Sequence, residues 1–75
     1  MARASRKLVI CLNNAGYEAS LERRKIYVSL SDPKAEKLGQ VRVIDESGED
    51  YLYDKHAFRV ISLPQSIRRA ILLAA

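Results

Sequence analysis

The stretch Val41-Arg-Val-Ile-Asp-Glu-Ser-Gly-Glu-Asp-Tyr-Leu-Tyr53 sets two apolar and aromatic runs on either side of an acidic turn that carries a glycine. Val41, Val43, Ile44, Tyr51, Leu52 and Tyr53 are branched or aromatic side chains that fit a pleated surface, and Ser47-Gly48 supplies the positive φ of a tight reversal. The segment reads as a β-hairpin with strands over Gln40–Asp45 and Asp50–Asp54.

Working outward, Lys25-Ile-Tyr-Val-Ser-Leu30 alternates, with Ile26, Val28 and Leu30 on one face, and predicts a half-buried strand. Between it and the hairpin, Asp32-Pro33 opens and Gly39 closes a segment with an N-cap aspartate and a proline at the first helical position, so a short helical turn is expected near Asp32–Leu38. Leu8–Leu12 is a continuous apolar run of strand length, stopped by Asn13-Asn14-Ala15-Gly16. From Tyr17 to Leu21 the spacing of Tyr17, Leu21 and Arg24 would also suit a helical turn, but Glu22-Arg23-Arg24-Lys25 has no apolar stripe, and a loop or extended arm is expected. Beyond the hairpin, Phe58–Leu63 predicts a fifth strand, broken by Pro64. Gln65–Ala75 predicts a C-terminal helix with Ile67, Ala70, Ile71 and Ala74 on one face.

Seventy-five residues make one small domain with one modest core, to which Met1–Lys7 adds a basic arm. Hydrophobic content of 48% and balanced charges at 29% are those of a chain that folds. A single cysteine, Cys11, allows no intrachain disulfide and no multi-cysteine zinc site, and a reducing cytoplasm is the simpler setting. The run after the basic N-terminal residues is too short for a signal sequence, and no run approaches the ~20 apolar residues of a membrane span.

Five short strands, an arm between the first two, a central hairpin and a tight turn before the last strand resemble a Src-homology-3-like small barrel. The segment from Cys11 to Pro64, with Gly16-Tyr17, Ala19-Ser-Leu21, Lys25-Ile-Tyr27, the hairpin Arg42–Tyr53 and Phe58, is similar to a group of short, uncharacterised bacterial proteins of this barrel type. In that pattern a proline commonly follows the last hairpin tyrosine, and here Asp54 stands in its place. The resemblance implies an all-β, five-stranded barrel and carries no activity with it.

No catalytic group is assembled by the sequence. The carboxylates Asp45, Glu46, Glu49, Asp50 and Asp54 crowd at the hairpin tip, where they are expected to be solvated turn residues, and their spacing does not match a calcium loop. In a small barrel the first and last strands can be neighbours, which could bring Cys11 and His56 together, but nothing in the sequence supplies a third group to orient the histidine. A non-enzymatic module with no cofactor or small-molecule substrate is therefore expected. Tyr17, Tyr53 and Phe58 are its candidate protein-binding residues, although the chain has no tryptophan for a proline-rich ligand. Ile67, Ile71 and Leu72 are candidates for self-association as a homodimer. The alternative, suggested by a net charge of +4, is nucleic-acid binding through Arg3, Arg6, Lys7, Arg23, Arg24 and Lys25.

Overall fold

The computed structural model describes residues 6–74; the 1–5 segment, with Arg3, and residue 75 lie outside the described residues. The elements run β1 (Arg6–Cys11), β2 (Ile26–Leu30), α1 (Pro33–Lys37), β3 (Gln40–Ile44), β4 (Asp50–Asp54), a single 3-10 turn (Lys55–Ala57), β5 (Phe58–Ile61) and α2 (Gln65–Ala74). All strand pairs are antiparallel and the order across the sheet is β4-β3-β2-β1-β5. No ladder joins β4 to β5, so the five-stranded sheet remains open.

Local chemistry explains the element ends. Asp45 accepts from the Gly48 amide at 3.0 Å to close the hairpin turn, and Gly48 takes φ +83°. Asp32 caps α1 by accepting from the Ala35 amide at 3.1 Å, Pro33 occupies the first turn, and Gly39 leaves the helix at φ +73°. Asp54 caps the 3-10 turn by accepting from the His56 amide at 2.8 Å. Its φ of −63° is the angle a proline ring imposes, so the aspartate meets the same backbone geometry and adds a cap.

One face of the sheet carries the core. Val9, Cys11, Tyr27, Val43, Tyr53 and Phe58 cluster there with Leu21 from the arm and Ala57 from the 3-10 turn. The register sets these side chains opposite one another, as in Val9 with Tyr27, Cys11 with Phe58 and Val41 with Tyr53. Leu8 and Val28 pair on the opposite face and are also buried. Over that face lies α2, with Arg68 donating to the Arg6 carbonyl at 2.8 Å and Ile71 sharing a cleft with Ile26, Val28 and Ile44.

This second cover corrects the expected half-buried β2. Tyr27, Val28 and Ser29 are all buried, because the arm and core take one side of the strand and α2 the other. The fifth strand ends at Ile61, two residues short of the expected Leu63, and Leu12 lies beyond β1 with its side chain exposed. No helix among the described residues is long and apolar enough to cross a membrane.

Candidate functional site

The segment between β1 and β2 is an irregular arm, as its sequence implies, but it is closely tied down. Leu12 and Asn13 donate to the Ala57 carbonyl, Arg24 donates back to the Cys11 carbonyl, and the Asn14 side-chain amide holds the Leu21 carbonyl at 3.0 Å. The Leu21 side chain, 1% exposed, anchors the arm in the core.

Two tyrosine–carboxylate pairs clamp this arm to the hairpin turn. The Tyr53 hydroxyl donates to Asp45 at 2.6 Å and is hydrogen-bonded to Ser20 of the arm at 3.1 Å. Tyr27 donates to Glu46 at 2.5 Å and accepts from the Glu22 amide at 2.7 Å, while the Glu46 amide donates to the Ser20 carbonyl. Asp45 also accepts from the amide and hydroxyl of Ser47. Burial raises the Asp45 carboxyl, but the bonds from Ser47 and Tyr53 outweigh it and hold the group below its ordinary range. Hydrogen bonds from Lys25 and Tyr27 lower Glu46. Burial, followed by the bonds to these carboxylates, raises both tyrosines. The expected solvated acidic tip is thus corrected in part: Asp45 is buried in the clamp, whereas Glu46, though bonded into it, is exposed like Glu49 and Asp50.

Above the clamp, the arm and the 3-10 turn form a shallow polar cavity of about 270 Å³ lined by Asn13, Ala15, Tyr17, Asp54, His56 and Ala57. Tyr17 is 40% exposed and stands edge-on to Tyr53, with ring centroids 5.0 Å apart. Tyr53 and Phe58, each 5% exposed, are core supports beneath Tyr17 and offer a partner almost no surface, unlike the expectation that placed them in direct contact. Asp54 holds both the backbone amide and the Nδ1 of His56, at 2.8 and 3.0 Å, and is lowered first by the backbone bond. The imidazole is thereby oriented with Nε2 directed away from the aspartate. The Asp54–His56 pairing was visible in the sequence only as an aspartate two residues before a histidine at a turn, a common capping pattern with no chemistry of its own.

The other candidates are dispersed. Arg6 pairs with Leu30 at one end of the β1–β2 ladder, and Ile10 pairs with Ile26 at the other, next to Arg23, Arg24 and Lys25. The two basic groups therefore sit roughly 13 Å or more apart along the strands. Lys25 is matched by Glu46 at 2.6 Å and Glu22 at 3.5 Å, and its amine is raised first by the bond to Glu46. On α2, Ile71 and Leu72 are half-buried, leaving Ile67 at 49% and Leu73 at 80% exposure as the outer apolar groups. Cys11 is fully buried and its thiol is raised by burial, while the His56 side chain stands in solvent.

Comparisons with protein-family models, with curated proteins and with solved structures found no match.

Proposed function

We propose that the chain is a small binding module of Src-homology-3-like architecture that takes an extended protein segment across the Tyr17–His56 face. Support for the barrel type comes from the strand order, the arm between β1 and β2, and the 3-10 turn between β4 and β5. The open β4–β5 gap corresponds to a partly opened barrel.

The observation that carries the binding reading is the exposed Tyr17 ring held against buried Tyr53 beside a cavity of about 270 Å³. A rigid aromatic ring supplies contact area with little entropy left to lose, and the clamp below fixes its position. His56 Nε2, Asp54 and the Asn13 amide add directional polar groups at the rim, as extended backbone requires.

Selection of a displayed peptide library on the protein tests this. Selected peptides are expected to shift the backbone amide resonances of 12–17 and 54–57, and Tyr17→Ala is expected to weaken them tenfold or more while the fold persists. Shifts confined to another face, or full affinity in Tyr17→Ala, would overturn the reading.

The nucleic-acid alternative draws less support, since Arg6 and Lys7 stand at the far end of the sheet from Arg23 and Arg24, and Lys25 is already paired. Its mark is a steep loss of binding between low and physiological salt, absent for an aromatic groove. Self-association through α2 rests on Ile67 and Leu73 and is read by light scattering across concentration.

A further inference from the structure

At the end of the sheet away from the arm, the core face is not filled. A second cavity, of about 160 Å³, opens there between Lys7, Ser29, Gln40, Val41, Lys55 and Val60. Ser29 is 5% exposed and sits directly opposite Lys7 in the β1–β2 ladder. No protein partner bonds its hydroxyl among the described residues, and because no buried side-chain oxygen or nitrogen among them is left unpaired, the Oγ is reached from the cavity. Lys7 and Lys55 likewise have no ion pair among the described residues.

Of the other charges around this cavity, Arg42 and Asp32 are ion-paired, whereas Glu36 makes only a backbone bond. Arg42 bonds Asp32 at 2.9 Å and Asp50 at 3.0 Å, and Glu36 turns back to the Asp32 amide at 3.4 Å. Lys7 and Lys55 therefore outnumber Glu36 among the unpaired charges of the lining, and with the Ser29 hydroxyl they share it with an apolar wall made by Val41 and by Val60, which is 67% exposed. Lysines and a hydroxyl select an oxyanion, and a bare inorganic ion would leave the valine wall uncovered. We infer that this cavity binds a carboxylate carried on a short aliphatic stem, either a free acid or the C-terminal end of a peptide chain. The carboxylate sits between Lys7 Nζ, Lys55 Nζ and Ser29 Oγ, and the stem lies on Val41 and Val60. The two cavities share no lining residue, although Lys55 adjoins Asp54 and His56 along the 3-10 turn, and neither proposal depends on the other; Lys7, Ser29 and Val60 are the amides that tell this cavity from the Tyr17–His56 face.

The test titrates the whole protein with butanoate, with butan-1-ol as a neutral counterpart, and with a tetrapeptide ending in valine as free acid and as amide, following backbone amide resonances. Butanoate is expected to shift Lys7, Ser29, Lys55 and Val60 saturably at ~1–10 mM, the range open to so small a ligand. Butan-1-ol is expected to shift none of them. The doubly substituted Lys7→Gln, Lys55→Gln protein, altered only at exposed side chains, is expected to lose at least tenfold in affinity with an unchanged thermal melt, and Ser29→Ala several-fold. A free-acid peptide that binds at least tenfold more tightly than butanoate, with the amide silent, identifies a chain terminus as the source; equal affinities identify the free acid. No saturable shift with butanoate, equal shifts with butan-1-ol, or full affinity in the lysine variant overturns the inference.

Discussion

Asp45 illustrates how a side chain's role depends on what folds over it. From its neighbours it is a turn residue beside a glycine, and its bond to the Ser47 amide is of that local kind. Its other bond comes from Tyr53, whose hydroxyl also meets Ser20 across 33 positions of the chain, and no spacing rule links these residues. Removing the Tyr53 donor leaves a buried carboxylate short of a partner, so Tyr53→Phe is expected to lower unfolding free energy by about 1.5–3 kcal/mol in urea titration. Tyr51→Phe, which deletes only the exposed bond to Glu49, is expected to leave the midpoint in place. Arg24 holds φ +71°, a left-handed conformation that costs a non-glycine residue about 1 kcal/mol or more. Arg24→Gly is expected to match or modestly exceed the parent in stability, and Arg24→Val to melt lower, by calorimetry.

Among the elements, α1 and the hairpin were legible in the sequence because their signals are local: an aspartate cap, a proline, a glycine at positive φ. The arm and α2 were less so. The arm's position is fixed by one buried side chain, Leu21, and by backbone bonds to distant strands, none of which leaves a periodic trace. In α2 the periodicity revealed an apolar stripe but not which surface it meets, and its place beside Ile26, Val28 and Ile44 on the far side of the sheet is what covers β2 on its second face. Ile71→Ala is accordingly expected to cost about 1–3 kcal/mol, as a half-buried side chain that shields the sheet, whereas Leu73→Ala, at 80% exposure, is expected to be neutral. Paired chemical denaturation curves distinguish the two.

At the scale of the whole molecule, the clamp ties stability to pH from both sides. Asp45 and Glu46 titrate lower in the folded than in the unfolded chain, so their contribution is complete above pH roughly 4 and is lost as pH falls through the folded values. Tyr27 and Tyr53 titrate higher when folded, so theirs is complete below pH roughly 10 and is lost as pH rises through the folded values. These pairs are expected to give a level urea midpoint between about pH 5 and 9 with a fall on each side. Tyr53→Phe is expected to flatten part of the alkaline fall. Strand number and succession were readable from the sequence, and neighbouring first and last strands were within the barrel expectation, but the unclosed β4–β5 gap was not, since it depends on how far the sheet curls.

The sole thiol has a consequence of a different kind. Cys11 has no exposed surface and lies between the arm and β5, so an alkylating reagent can reach it only when the arm lifts from the core or the sheet comes apart. The rate at which it is modified under native conditions is therefore a clock for opening of the core, requiring no added dye or denaturant, and Tyr53→Phe, which loosens the arm, is expected to make it run faster.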